Sequence, residues 1–426
     1  PQRIDIRGER QQILRKWMDS DQAIQIQYAS KYARSANYWK NSRGMNKCID
    51  SIGIVTMKQD YEKLIQQYQD STGYLKGQLD INKLGQLYSK INDKAKTMTI
   101  FMETFGRTSE VVSRSMRWAM GGTIQGPKDK PKKQFVQYKD NSDAWDLATE
   151  KEVLVALLKN YREQVTAEYL PDFYATIDQM EGATAHDKYV AYVDELYNSP
   201  IMSAEPIYFN KKKVAKKMNS DYAVQMGQDL LVIMQKITEG NDDINAEIAE
   251  QERLLCDAKL AMEMDMPHYS DANFTLRMSY GQVGGYLLNG YPSGYYTDPQ
   301  SLYKKMLLGD EKTAGKNYNY EYYAEPVMHE LFSAKDFGQY NDPVTGTMNL
   351  CFLTNNDITG GNSGSPVFDG NNRLIGLAFD GNWDSLSGDI FFDKKLARCI
   401  CVDIRYMMFM MEKWGKADRL IKEIEK

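Results

Sequence analysis

The sequence predicts an α+β chain in which a large all-helical domain precedes an antiparallel β region closed by a C-terminal helix. Two observations carry that prediction. Apolar residues recur at helical spacing from residue 4 to about 270, and at about 267 this gives way to short alternating runs punctuated by glycine and proline. The division is set at residues 1–266 and 267–426.

The helical elements follow in order. Ile13, Leu14, Trp17 and Met18 share one face, and Ile24, Tyr28 and Tyr32 continue at steps of four. Ile54, Met57, Tyr61, Leu64, Ile65 and Tyr68 form a second stripe. Further helices are expected at 76–104, 108–119, 146–165, 171–181, 187–197, 211–237 and 243–264. The last follows Gly240-Asn241-Asp242, read as its N-cap, and presents Ile244, Ile248, Leu255 and Met262 to a core. Between 121 and 144 a Gly/Pro/Lys-rich stretch that includes Pro127–Lys133 reads as an exposed, solvated loop.

The β region opens with the alternating run Asn273–Tyr280. Gly281, Gly284, Gly285, Gly290, Pro292 and Gly294 then break the chain repeatedly. Met348–Leu353, Val367-Phe368, Arg373–Phe379 and Ile400–Val402 are short strands, and Asp369-Gly370-Asn371-Asn372 is a tight turn joining two of them. From Asp403 to Lys426 the periodicity is helical again, with a break at Gly415.

Composition narrows the function classes. A net charge of −5 over 426 residues argues against nucleic acid as the main partner. No run of about 18 apolar residues exists to span a membrane. The five cysteines (Cys48, Cys256, Cys351, Cys399, Cys401) match no metal spacing, and the three histidines (His186, His268, His329) form no His-x-x-x-His pair. No metal or cofactor is implied. Cys399 and Cys401 share one strand face without favourable disulfide geometry. The chain opens at Pro1 without a methionine, directly into a charged helix, and reads as starting in mid-protein.

The segment Thr359–Val367 carries the chemistry. Ser363 stands between glycines in Gly360-Gly361-Asn362-Ser363-Gly364-Ser365-Pro366-Val367. A serine hydroxyl becomes a nucleophile when a base accepts its proton and N–H donors hold the developing oxyanion. In such a turn the N–H groups of Gly361 and Ser363 point the same way, a ready oxyanion hole. A Gly-Asn-Ser-Gly sequence alone is more often an ordinary turn; the Pro-Val exit, the following hairpin at Ile375-Gly376-Leu377 and the closing helix raise it above that. The arrangement is similar to that of chymotrypsin-like proteases. The β region is accordingly expected to be a chymotrypsin-like β-barrel region, with the N-terminal barrel portion and its histidine and aspartate missing from this chain. Asn362 cannot make the ion pair by which digestive proteases of that fold are activated. None of the three histidines is nominated as the base.

At greater length the sequence resembles the bacterial serine dipeptidyl peptidases of types 7 and 11. The resemblance rests on Asp271–Arg277 with Tyr280-Gly281, Asn356–Pro366, Leu374–Trp383, Ser387-Gly388-Asp389, Val402–Arg405, and on Tyr28–Ala33 with Ala36–Asn41. It implies an exopeptidase that releases dipeptides from peptide N-termini, with a helical domain capping the cleft of a double β-barrel. Ser363 matches the nucleophile and Gly361 its oxyanion partner. Asp380 falls on the aspartate that binds the substrate α-ammonium, a charge-assisted contact. An asparagine of the helical domain assists, with Asn37 preferred over Asn41. Members that favour Asp or Glu before the scissile bond carry arginine immediately after that aspartate. Here the residue is Gly381, which with Phe379 implies an uncharged, deeper pocket and a broad or hydrophobic, type 7 preference. The resemblance also implies a homodimer acting on peptides with a free N-terminus, in the periplasm, at the cell surface or secreted. Without the missing segment the chain is expected to be inactive. The rival expectations are a trypsin-like endopeptidase, which a large helical lid disfavours, and a non-catalytic helical interaction protein with a degenerate protease domain.

Overall fold

The computed structural model describes residues 1–106, 108–121, 124–125, 135–208, 216, 218–266, 268–270 and 275–424. The loop Pro127–Lys133, the opening of the helix expected at 211–237, residue 267 and Asp271–Phe274 lie outside the described residues.

The chain forms two compact units, one of residues 1–43 and 58–267, the other of 44–57 and 268–426. Among the described residues, most of the first is formed by α1 (Gln2–Ser20), α2 (Gln22–Ile52), α3 (Ile54–Thr72), α4 (Ile81–Phe105), α5 (Glu110–Ala119), α6 (Leu147–Gln164), α7 (Phe173–Gln179), α8 (Ala185–Tyr197), α9 (Tyr222–Thr238) and α10 (Asn241–Met262). Helix starts follow local chemistry. Asp80 caps α4 by accepting from the Lys83 N–H, which moves its start well past the expected residue 76. Thr184 and Asp187 form a reciprocal capping box that begins α8 two residues before the expected 187. Asp221 accepts from the N–H groups of Ala223 and Val224 and so sets the start of α9. At α10 the N-cap is Gly240 in a left-handed conformation with no side-chain cap, so the expected cap from Asn241-Asp242 is not made.

The core of this unit is aromatic. Phe105 meets Tyr161 edge-on at 4.9 Å, and Phe173 stacks on Tyr192 at 5.7 Å. Two polar ties cross it. Arg114, almost fully buried, donates to the carbonyls of Ile201, Met202 and Lys139, closing chain that no helix pairs. Glu150 accepts from the Glu110 N–H at 2.7 Å, satisfying an orphan donor of α5, and from Tyr197 Oη at 2.9 Å. Burial pushes the Glu150 carboxyl above its ordinary range.

In the second unit, strands β6 (Tyr296–Thr297), β7 (Cys351–Thr354), β8 (Pro366–Phe368), β9 (Leu374–Gly381) and β10 (Cys399–Asp403) form an antiparallel sheet in the order β6-β7-β10-β9-β8. (The shorter β1 to β5 are Ile124–Gln125, Phe135–Val136, Ile207–Tyr208, Leu287–Leu288 and Tyr291–Pro292.) Among the described residues this sheet stays open, with β6 and β8 at its edges, and does not close into a barrel. The strand expected at 273–280 does not form over 275–280, where Leu276, Met278 and Tyr280 stand exposed; only Val283 bridges to Thr354. The hairpin at Asp369–Asn372 is present, with Asn372 in the left-handed region at φ 61°.

Helices α11 (Pro299–Leu308), α12 (Glu311–Ala314) and α13 (Pro326–Ala334) interrupt the β region where no helix was expected. Proline at the first turn of α11 and α13 supplies the start signal that glycine punctuation obscured. The C-terminal helix begins as α14 (Ile404–Phe409), widens to π geometry over Met410–Trp414, ends at Gly415, and resumes as α15 (Asp418–Ile424). The last turns of α2 belong to this unit: a Cβ on Gly44 would fall 2.0 Å from Leu386 Cδ1. No helix of the described residues is long and apolar enough to cross a membrane.

Candidate active site

Two consecutive tight turns present Ser363. In the first, the Asn362 N–H donates to the Thr359 carbonyl at 3.2 Å; in the second, the Ser365 N–H donates to the Asn362 carbonyl at 2.9 Å. The third position of each is a glycine with positive φ, Gly361 at 109° and Gly364 at 86°. Side chains resist this backbone, so the glycine spacing follows from the double turn. Ser363 occupies the second position of the second turn and is exposed. The Gly364 N–H donates to the Ala378 carbonyl at 2.7 Å and the Ala378 N–H to the Ser365 carbonyl at 2.9 Å, fixing the turn to β9.

Asn362 has a structural task that the sequence did not reveal. Its Oδ1 accepts from the Thr359 N–H at 3.0 Å and locks the first turn from within. Among the described residues the N–H groups of Gly361 and Ser363 donate to nothing. They are open for an incoming oxyanion. The Ser363 hydroxyl donates to the Phe379 carbonyl at 3.3 Å, and no histidine hydrogen-bonds it among the described residues. His186 lies on α8 in the other unit, and His329 on α13 stands edge-on to Tyr303 at 6.1 Å.

Asp380 and Gly381 follow Phe379 at the end of β9. Asp380 is exposed and one of its carboxylate oxygens accepts from the Gly381 N–H at 2.8 Å. A Cβ on Gly381 would lie 2.3 Å from Ser385 Oγ, which itself donates to the Asn382 carbonyl at 2.7 Å. The turn after β9 is thus packed against a position with no room for a side chain. Buried Asn382 holds that turn, accepting from the Arg398 N–H and donating to the Leu396 carbonyl, both at 2.8 Å. Arg398, itself buried, donates to the carbonyls of Gly284 and Gly285. Neither residue has a periodic signal in the sequence, because their partners are mainly backbone groups of other segments.

Behind β9, Cys399 pairs with Gly381 and Cys401 with Ala378 across a bulge. Both thiols are buried, their sulfurs 3.6 Å apart, and none of the five cysteines is bridged. The hydrogen bond it shares with Cys399, with burial, pushes the Cys401 thiol far up, so it stays protonated and packs as an apolar group.

Ser363, Gly361, Phe379, Asp380 and Gly381 therefore share one corner of the second unit. Asn37 and Asn41 belong to the first, one helical turn apart on the same face of α2, Asn37 exposed and Asn41 half-buried.

The family model described as Peptidase S46 matches residues 1–426. The chain belongs to the peptidase S46 family. Among its S46 relatives, the dipeptidyl-peptidase 7 of Porphyromonas endodontalis is 37% identical over 435 residues, covering 99% of this chain and 50% of the relative. The Asp/Glu-specific dipeptidyl-peptidase of Capnocytophaga gingivalis is 29% identical over 451 residues, covering 100% of this chain and 59% of the relative. The chain stands closer to type 7 than to type 11. The crystal structure of Porphyromonas endodontalis DPP11 with the dipeptide Arg-Asp is similar at a TM-score of 0.79 and 25% identity, over 99% of this chain and 60% of that one. The chain thus spans about half to six-tenths of the length of the S46 relatives it matches.

Proposed function

We propose that this S46 chain is the nucleophile-bearing part of a serine dipeptidyl peptidase that releases dipeptides from peptides with a free N-terminus. The observation that carries the reading is the double turn, which presents an exposed serine together with the Gly361 and Ser363 N–H groups, neither of which has an acceptor among the described residues. In this mechanism Ser363 Oγ leaves the Phe379 carbonyl, gives its proton to a base and attacks the carbonyl of the second residue. The Gly361 and Ser363 N–H groups hold the resulting oxyanion. The amine product departs, and water then releases the dipeptide from Ser363.

The base and the aspartate that orients it come from outside the residues of this chain, in a barrel that the open sheet helps to complete. Two features support that: no described histidine reaches Ser363, and the apolar run Leu276, Met278, Tyr280 lies uncovered. Asp380, with Asn37 or Asn41 from a capping helical domain (1–266), receives the substrate α-ammonium. That ion pair fixes the distance from the N-terminus to the cut. Phe379 and Gly381 bound the pocket for the residue before the scissile bond. With no arginine there, broad or hydrophobic residues are preferred to acidic ones. The enzyme acts as a homodimer outside the cytoplasm.

Dipeptidyl reporters ending in Leu or in Asp test the reading, assayed with the full-length gene product, with this chain, and with Ser363→Ala in both. Hydrolysis of the Leu reporter by the full-length product alone is expected. Cleavage of N-terminally blocked peptides overturns the exopeptidase assignment, a preference for Asp overturns the role of Gly381, and activity of this chain by itself overturns the external base.

A further inference from the structure

A second polar cavity lies in the helical unit, remote in sequence from the serine turn. It is an open cleft of about 320 Å³ between α7, α8 and the first half of α9. Among the described residues its charged lining is acidic: Asp172 and Asp229 contribute carboxylates, and no described lysine or arginine lines it. Asp172 occupies the N-cap position of α7, yet its side chain makes no capping hydrogen bond. Asp229 is half-buried, and burial together with the Asp172 charge pushes its carboxyl up to about 6.

The independent observation is Tyr192. Its side chain is fully buried and lines this cavity, and among the described residues its hydroxyl has no hydrogen-bond partner. Buried hydroxyls are almost always paired, and an orphan one calls for a group that the protein chain does not supply. A hydroxyl oxygen beside two carboxylates presents acceptors to a common donor. The rings around it are packed on one another, Phe173 stacking on Tyr192 and Tyr222 meeting it edge-on at 5.9 Å, and form the apolar side of the cleft.

We propose that this cavity binds a small organic cation through a primary ammonium group. The ammonium donates its N–H groups to Asp229, Asp172 and the Tyr192 hydroxyl, while amide side chains such as Gln228 complete the wall. An anion is excluded by the two carboxylates. A bare divalent ion is a poor fit, since Ca²⁺ needs six to eight oxygens drawn close and the described lining supplies two carboxylates around a wide, open cleft. Among the described residues no group of three or more His, Cys, Asp or Glu could hold a metal. The proposal stands independently of the role given to Ser363.

Isothermal titration of the full chain with 1,4-diaminobutane tests it, alongside the uncharged 1,4-butanediol and calcium chloride. Saturable one-to-one binding of the diamine is expected, with no binding of the diol. Asp229→Asn and Asp172→Asn should each weaken it by about tenfold or more, and Tyr192→Phe by several-fold. Melting curves establish that each variant is folded, and Asp172→Asn, at an exposed position, keeps the test open if a buried change disrupts folding. Absence of diamine binding overturns the proposal. So does equal binding of the diol, calcium binding in place of the diamine, or unchanged affinity in the folded aspartate variants.

Discussion

The hydroxyl of Ser363 rests against the main-chain carbonyl of Phe379 at 3.3 Å, the residue immediately before Asp380. This long, exposed bond tethers the side chain weakly, and its net worth is at most about 1 kcal/mol. Ser363→Ala should therefore leave stability within about 0.5 kcal/mol of the parent. In the full-length protein the same change should lower dipeptidyl activity by on the order of 10⁴- to 10⁶-fold. Reporter hydrolysis and thermal melting measured on one preparation separate the two effects. A large drop in melting temperature would mean that the serine is a structural residue of the turn.

The glycines of that turn are not equivalent. Gly361 and Gly364 sit at φ 109° and 86°, while Gly360 has no positive φ and open space where a Cβ would go. Gly364→Ala should cost about 1–2 kcal/mol, and Gly361→Ala, further from the left-handed minimum, about 2–3 kcal/mol. Gly360→Ala should be close to neutral. Chemical denaturation of the three variants checks the order, and equal costs at all three would contradict the double-turn geometry.

How much of this was legible follows from what kind of force made each feature. The serine turn was readable because Gly361 and Gly364 are required by backbone sterics at fixed spacing, and the hairpin at Asp369–Asn372 for the same reason. Most helices were readable from one apolar face. Their starts were not, because Asp80 and Thr184 act through single hydrogen bonds that periodicity does not register. The expected strand at 273–280 shows the limit of alternation: Leu276, Met278 and Tyr280 alternate, yet a strand requires a neighbour to bond with. Asn382 and Arg398 organise the site through backbone groups distant in sequence, which a linear reading cannot pair, while Asn362 acts within its own turn through one hydrogen bond that periodicity does not register.

Gly381 is held by crowding. Adding a Cβ brings it to 2.3 Å from Ser385 Oγ, so Gly381→Ala should cost about 1–3 kcal/mol as an overpacked site. The Ser385 Cβ itself lies at 3.4 Å from the added atom, which is tight but tolerable. Ser385→Ala should thus recover part of the loss, with a coupling of about 1 kcal/mol in a double-mutant cycle. Strict additivity of the two changes would show that the contact is not what excludes a side chain there.

Arg405 ties the C-terminal helix to the sheet. Its Nε and Nη2 bond both oxygens of buried Asp403, at 2.9 and 2.7 Å, and Nη1 reaches Asp342. Arg405→Ala leaves the Asp403 carboxylate buried without a cation and should cost about 3–5 kcal/mol; Arg405→Lys should rescue little, since an ammonium cannot span both oxygens. Burial acts to raise the Asp342 carboxyl, but the hydrogen bonds from Arg405, Thr345 and Val344 outweigh it and hold it low. Its share of stability is therefore present above the unfolded carboxyl range and is lost as the pH falls through the folded value. Denaturation midpoints of parent and Arg405→Ala should converge in acid. A difference that stays constant to low pH would assign the loss to packing alone.

Asp229 reverses that sign. Burial, then the charge of Asp172, raises its carboxyl to about 6, while the Phe173 N–H works weakly the other way. Between the ordinary unfolded value near 3.9 and about 6 the folded chain binds the extra proton, so stability falls as pH rises across that window. Above it the ionised carboxylate carries a standing penalty. Because the group is only half-buried, screening reduces that penalty to about 1–2 kcal/mol. Asp229→Asn keeps an acceptor for the Phe173 N–H and removes the charge. It should raise the melting temperature above pH 6 and leave it unchanged below about pH 4. A site maintained at the expense of stability is what a binding role for this carboxylate requires. Stabilisation of equal size at both pH extremes would instead trace the gain to the shape of the side chain and remove the electrostatic argument.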